Sequence, residues 1–389
     1  MKIACITTSV IPSNTANSIQ AMKVCHALKE LEQDVQLWIP DYQRADWGKL
    51  AHVYGLRTPF AVYWLPFLRP LKQYDFCWRS VAAACRWGAQ VIYTWSLQAA
   101  VFALLRGKTV VMEFHDFPMG KLGPLLFRRY LKGEKRLTLC TTRALVEGLE
   151  QTYDFHFRQK NLQIAPNGVE LERYASLPVP AQARRSLGFA DKLTVGYSGH
   201  FYPGRGMEVL LELAQALAHI QFLWMGGRTE DIAPWKERLE ELSIRNVVIT
   251  GFIPNSQLPG YQAAADILLM PYNRAISGSS GGNIARVINP MKMFDYLASG
   301  RAIIASDIPV FHEVLNEKNA LFCEPESAQE WVQAVARLAQ DESLRSNLGR
   351  QAQKDAAQYS WNQRASTTLK KLHSLLQGGF NDLVQRMRS

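Results

Sequence analysis

Short runs of β-branched and other apolar residues alternate along this chain with stretches whose apolar positions recur at helical spacing. In the first half the runs fall at 3–8, 35–39, 91–94, 109–113, 137–141 and 162–165, and residues 19–31 form the first amphipathic stretch. Such alternation predicts parallel βαβ units, because two parallel strands must be joined by a crossover long enough to hold a helix. Pro166-Asn167-Gly168 supplies a turn, and residues 174–192, with Pro178 and Pro180, read as a linker. A second series then begins, with runs at 193–198, 221–225, 247–250, 267–270, 302–305 and 320–323 and helical periodicity between most of them. The pattern predicts an α/β protein of two Rossmann-like domains, 1–175 and 192–358. Open parallel sheets bind ligands at the carboxyl ends of their strands, where the strand order reverses, so a ligand is expected in a central cleft faced by both domains. A last helical stretch with Leu369, Leu372, Leu375 and Leu376 is expected to extend over 361–389 and to cross back onto the first domain.

With 389 residues, of which 48% are hydrophobic and 20% charged, each half can bury a core of its own. No apolar stretch approaches the roughly 20 residues of a membrane-spanning helix. The start of the chain has a faint likeness to a signal peptide but lacks a small-residue cleavage site, and a first buried strand explains it. Six cysteines without metal-like pairing fit a reducing, cytoplasmic compartment. A net charge of +10 favours an anionic partner, such as a nucleoside diphosphate or an acidic membrane surface. No nucleic-acid module accompanies the charge, so nucleic acid is not an expected partner.

The segment from Asn289 to Gly300 carries a helix signal at each end: Asn289 as N-cap, Pro290 at the first helical position and Gly300 as the stop. Its N-terminal amides, with Lys292 in the first turn, would face an anion such as a diphosphate. Asp295, a turn further in, could accept hydrogen bonds from vicinal ribose hydroxyls, and spacing alone leaves it equally a solvated helix aspartate. A second anion site is expected at the Gly-rich turn from Gly196 through Gly199, His200 and Arg205 to Gly206, which follows a strand and opens a helix at 207–218. The cluster Glu113-Phe114-His115-Asp116 ends a strand of the first domain. Its side chains are expected to face the cleft, with His115 either contacting a sugar hydroxyl or satisfied locally. The stretch Gly278-Ser279-Ser280-Gly281-Gly282-Asn283 reads equally as a flexible loop or as an amide cradle for a sugar or phosphate.

Taken together, these motifs resemble glycosyltransferase family 4, retaining enzymes of the GT-B fold, over essentially the whole chain. The likeness rests on the segments 164–170, 199–206, 265–271, 294–300 and 306–309. It implies that Arg205 takes the place of a family lysine that neutralises the donor diphosphate, and that His200 stands where many members have arginine. Asp295 matches the second glutamate of the family's paired-glutamate motif, which holds the ribose, and His115 matches a histidine that contacts the donor sugar. Tyr359-Ser360-Trp361 resembles the opening of the crossing C-terminal helix. The chain departs from the pattern where Val287 stands in place of the first glutamate and Pro290 in place of a glycine. A Gly-Gly turn of the acceptor-side loop is replaced by Asn14 to Ser18, making Asn14 and Asn17, with Glu113 and Asp116, the acceptor-side candidates.

The resemblance implies transfer of a hexosyl group from a UDP- or GDP-sugar to a hydroxyl of a glycan, lipid or lipid-linked acceptor. His115, Arg205 and Lys292 are the catalytic candidates. Gly199, His200, Arg205, Gly281, Gly282, Asn283, Lys292 and Asp295 are the donor-binding ones. No cofactor and no metal is expected, since no His/Asp/Glu cluster has ligand spacing and positive side chains can take the place of Mg²⁺. A GT-B nucleotide-sugar epimerase and a non-catalytic, nucleotide-sugar-binding regulatory subunit are the alternatives. Trp64 to Trp87, with Arg69, Lys72, Arg79 and Arg86 among aromatics, and the basic stretch 121–136 suit peripheral contact with the inner face of an anionic membrane, or are solvated helix faces.

Overall fold

The computed structural model describes residues 1–71, 73–276 and 283–388, with side chains as far as Gln377. The chain folds as two compact units, one of Met1–Asn167 with Trp361–Ser389 and one of Gly168–Ser360.

The first unit is built around seven parallel strands: β1 (Lys2–Ile6), β2 (Asp34–Pro40), β3 (Ala61–Leu65), β4 (Val91–Thr94), β5 (Thr109–Phe114), β6 (Arg136–Cys140) and β7 (Leu162–Ile164). They lie in the order β3-β2-β1-β4-β5-β6-β7, so the order reverses between β1 and β4. There Ile3 is registered with Val35 on one side and Val91 on the other. The crossovers are helices α1 (Ala16–Glu30), α2 (Trp47–Tyr54), α3 (Tyr74–Trp87), α4 (Leu97–Leu105), α5 (Gly123–Leu131) and α6 (Arg143–Tyr153). Helices on both faces explain why Ile3, Ala4, Cys5 and Ile6 are all fully buried. Thr15, Ser96 and Thr142 cap α1, α4 and α6 by accepting a backbone N–H three residues on. Strand β3 is not among the predicted strands: as an edge strand it is only partly covered, so Ala-Val-Tyr-Trp-Leu needs no clear apolar alternation.

The second unit holds a six-stranded parallel sheet of β8 (Thr194–Gly199), β9 (Gln221–Gly226), β10 (Val247–Gly251), β11 (Ile267–Met270), β12 (Ala302–Ser306) and β13 (Leu321–Cys323). Its order is β10-β9-β8-β11-β12-β13, with the reversal between β8 and β11. Helices α7 (Pro180–Leu187), α8 (Met207–Ala216), α9 (Thr229–Glu241), α10 (Leu258–Ala263), α11 (Met291–Ser299), α12 (Ala328–Gln340) and α13 (Glu342–Ala356) surround it. Trp224, Trp331 and Phe222 are buried among the aliphatics of its core.

The expected boundaries at 175 and 192 differ from where the chain changes unit, at Asn167/Gly168. The segment predicted as a linker is a packed part of the second unit. The Tyr174 hydroxyl donates to Gln262 Oε1 at 2.9 Å, and Arg184 donates to Asp266 Oδ2 at 2.8 Å and to the Ala264 carbonyl at 3.1 Å. Its Pro180 starts helix α7, where a missing N–H costs nothing, instead of breaking structure. The last helix, α14 (Trp361–Arg388), packs along α1 in the first unit, where Asn362 Nδ2 donates to Glu30 at 3.1 Å.

Candidate functional site

In the second unit the loop after β8 is held close to the end of β11. Gly206, at φ 70°, lies so near the Pro271 carbonyl that a Cβ would sit 1.6 Å from its oxygen, so only glycine permits this path. The loop thereby sets Arg205 between two phenol rings, its Cζ 5.0 Å from the centroids of both Tyr202 and Tyr272, and Nη2 donates to the Tyr202 hydroxyl at 3.1 Å. A guanidinium over aromatic faces is held by the ring quadrupoles while its charge stays uncompensated.

Lys292 meets it from the first turn of α11. Its Nζ is 3.9 Å from the Tyr197 ring centroid and 5.4 Å from that of Tyr272. A Cβ on Gly199 would lie 2.6 Å from the same nitrogen, so the glycine is what lets the ammonium approach the end of β8. The ammonium is shut away from solvent with no hydrogen-bond partner among the described residues. Burial, and then the neighbouring Arg205 charge, hold Lys292 well below the ordinary lysine range. The Tyr197 hydroxyl donates to the His200 carbonyl at 2.7 Å, and the Tyr296 hydroxyl accepts from the Ser198 N–H at 2.8 Å, tying the strand end to α11. Two buried cations at a helix N-terminus form a receptor for a compact polyanion such as a diphosphate.

Gly199, Arg205 and Lys292 are thus brought together. His200 stacks on Tyr202 with centroids 5.2 Å apart. Asp295 follows Lys292 by three residues on α11 and so shares its face. Together with burial, its charge raises the Tyr174 hydroxyl pKa well above the usual range. The helix begins one residue later than predicted. Pro290, with extended ψ of 131°, takes the cap position assigned to Asn289, and Gly300 ends the helix at φ 65°. Asn283 is occupied in clasping its own loop: Oδ1 accepts from the Ile276 and Ala285 N–H groups at 2.9 and 3.0 Å, and Nδ2 donates to the Arg274 carbonyl at 3.1 Å. Gly281 and Gly282 lie outside the described residues. Val287 is 2% exposed. Tyr197, Tyr202 and Tyr272, which build the cage, are not among the sequence candidates. Tyr272 lies two residues beyond a predicted strand, and Tyr197 and Tyr202 lie within the Gly-rich segment 196–206; these positions were the available signals.

In the first unit the expectation for Glu113 is corrected. Its carboxylate is 2% exposed and points into the protein, where it accepts from Gln20, Tyr93, Arg364 and His115. Burial alone would raise its pKa, but Arg364 foremost, then His115 and Tyr93, lower it to about 2. It cannot also present itself to an acceptor. His115, with 27% of its side chain exposed, turns Nε2 to Glu113 Oε1 at 2.9 Å. Asp116 Oδ1 accepts from the Phe117 N–H at 2.7 Å. Asn14 is half-buried ahead of α1, and Asn17 is exposed in its first turn. Among the described residues no three His, Cys, Asp or Glu side chains converge as a metal site, and no helix is long and apolar enough to cross a membrane.

The sequence model of the family described as "Glycosyl transferases group 1" matches residues 192–341, the stretch that carries Gly199, Arg205, Lys292 and Asp295. The D-inositol 3-phosphate glycosyltransferase of Corynebacterium jeikeium is 27% identical over 55% of this chain and 52% of its own length. The phosphatidyl-myo-inositol mannosyltransferase of Mycolicibacterium smegmatis is 24% identical over 50% of this chain and 47% of its own. The matched part of the chain spans about half the length of these curated relatives. Among solved structures, Anabaena HepE in complex with UDP superposes with a TM-score of 0.73 at 16% identity, covering 96% of this chain and 100% of that one. Residues 192–341 thus match the group 1 glycosyl transferases, and the two doubly wound sheets have the GT-B fold, in keeping with the resemblance to glycosyltransferase family 4.

Proposed function

We propose that the chain moves a hexosyl group from a nucleoside diphosphate sugar, UDP- or GDP-linked, to an acceptor hydroxyl with retention at the anomeric carbon. The observation that carries this reading is the pair of buried cations, Arg205 and Lys292, on one phenol ring with no carboxylate beside them among the described residues. As the bond from C1 to the diphosphate breaks, its electrons stay on the leaving oxygen. Preorganised positive groups stabilise that growing charge, and such electrostatics commonly make the largest contribution to catalysis. Asp295 then holds the ribose hydroxyls and His115 a hydroxyl of the sugar. The two cations do here what a divalent ion does elsewhere, so activity is expected to survive chelation by EDTA.

The names of the relatives support a hexosyl donor and an inositol-containing or lipid acceptor, and the UDP of the Anabaena protein supports a nucleoside diphosphate. A lipid or lipid-linked acceptor is further supported by exposed Leu68, Leu71, Trp78, Leu122 and Leu125, interspersed with the exposed cations Arg69, Arg79, Lys121, Arg128 and Arg129. Apolar side chains that enter the headgroup region beside cations suit an anionic bilayer. Flotation with vesicles of phosphatidylcholine alone and with added phosphatidylglycerol tests this, and equal recovery from both would remove it.

The direct test is Arg205→Ala, expected to reduce turnover by about 10²–10³-fold while the protein stays folded. Parental rates in a folded variant overturn the assignment. The donor is found by thermal shift against UDP-, GDP- and ADP-sugars, since a ligand at about 100 times its Kd adds about 2.7 kcal/mol of stability. An epimerised product from donor alone, or binding without any turnover, would each replace the transferase reading.

A further inference from the structure

We propose that Arg364 of the C-terminal helix is a positioning residue: acting through Glu113, it fixes which ring nitrogen of His115 carries the proton, and so whether the outward nitrogen accepts or donates. The consequence for catalysis rests on the reading above, in which His115 meets the donor sugar, whereas the positioning itself does not.

Glu113 ends β5, and Arg364 lies 251 residues further on, in the first turn of α14. The guanidinium is held on several sides. Nε donates to the Pro166 carbonyl at 2.9 Å, Nη2 to the Ala165 carbonyl at 3.2 Å and Nη1 to the Tyr93 hydroxyl at 3.3 Å. Nη2 also donates to Glu113 Oε1, the oxygen that faces His115 Nε2. Tyr93 donates to Oε2 and Gln20 to Oε1, so every polar neighbour of the carboxylate is a donor.

An ionised carboxylate only accepts. With Arg364 beside it Glu113 stays ionised, so the proton of the neutral His115 ring must sit on Nε2. Nδ1, which makes no hydrogen bond among the described residues, is then the lone-pair nitrogen and takes an O–H from a ligand. Without the guanidinium, a buried carboxylate facing only neutral donors binds a proton itself. As a carboxylic acid it can donate to Nε2, which moves the ring proton to Nδ1 and converts the outward atom from acceptor to donor. Glu113 and Arg364 touch no substrate in this scheme. They act through the histidine, and the C-terminal helix thereby becomes part of its setting.

The test uses the full chain with ¹⁵N-labelled histidine rings, read by NMR above the histidine titration range and without substrate. The His115 signals are assigned by their loss in His115→Gln. The parent is expected to show the Nε2–H tautomer, Arg364→Met a shift toward Nδ1–H, and Arg364→Lys the parental pattern. kcat/KM should fall at least tenfold in Arg364→Met and recover in the lysine variant. Should Arg364→Met fail to fold, Arg364→Gln, which keeps donors for the two carbonyls, takes its place with the same outcomes. An Nδ1–H tautomer in the parent, or an unchanged Nε2–H tautomer in a folded variant, overturns the proposal. A tautomer that shifts while turnover stays parental upholds the positioning and removes the sugar contact assigned to His115.

Discussion

Arg205 and Lys292 share one aromatic support, with Cζ 5.0 Å and Nζ 5.4 Å from the centroid of Tyr272, and among the described residues neither faces a carboxylate. Two like charges brought together away from water oppose folding unless a third group compensates them. In the proposed reaction the donor diphosphate is that group, and its binding would relieve the repulsion between them.

Replacing Lys292 by Met should therefore separate stability from function. The side chain keeps its length and loses a buried nitrogen with no hydrogen-bond partner among the described residues, so the protein is expected to gain about 1 kcal/mol or more, or a few degrees in Tm. Turnover should fall by about 10²-fold or more. Calorimetry beside a donor-hydrolysis assay decides, and a lower Tm would mean that the ammonium has a partner.

Diphosphate binding should take up a proton. Lys292 is held below the ordinary lysine range by burial and Arg205, and an anion placed beside it shifts it back up. Between the two values the complex binds more protons than the free protein, so affinity for UDP or GDP weakens as pH rises, by up to about tenfold per unit. Calorimetric titration in two buffers of different ionisation enthalpy measures the uptake. Lys292→Met should abolish it, and zero uptake by the parent at every pH below the ordinary lysine range would contradict the mechanism.

Acid stability should depend on Glu113. Its pKa is lowered to about 2 in the folded protein from an ordinary value of 4.5. A lowered carboxyl stabilises the fold fully above the ordinary value and progressively less as pH falls toward the folded one. The contribution is on the order of 3 kcal/mol and should disappear between about pH 4.5 and pH 2. Glu113→Gln is expected to lower stability at pH 7 and to flatten that part of the acid profile, as read by urea unfolding. Parallel profiles for both proteins would rule the assignment out.

Restoring the family's first glutamate at Val287 should harm the protein instead of improving it. Val287 is 2% exposed, and a carboxylate introduced there would be buried without a donor set built to receive it. Val287→Glu is expected to lose roughly 2 kcal/mol or more, with no gain in turnover. A variant with parental Tm and faster transfer would show that the position opens toward substrate.

The alternation of strands and helices, and with it two parallel sheets, could be read directly from the sequence. So could the ends of α11 to within a residue and the placing of Gly199 and Arg205 around the turn after β8 and of Lys292 and Asp295 on α11, since glycines, caps and periodicity act over a few neighbouring positions. Edge strand β3, the packing of 168–191 into the second unit, the inward turn of Glu113, the three-tyrosine cage and the link from Arg364 to His115 were decided only by tertiary structure. Each of these depends on which distant segment arrives alongside. Strand order places Tyr197 beside Tyr272 and helix packing brings Arg364 across 251 residues to Glu113, and no local preference of the chain encodes such a meeting.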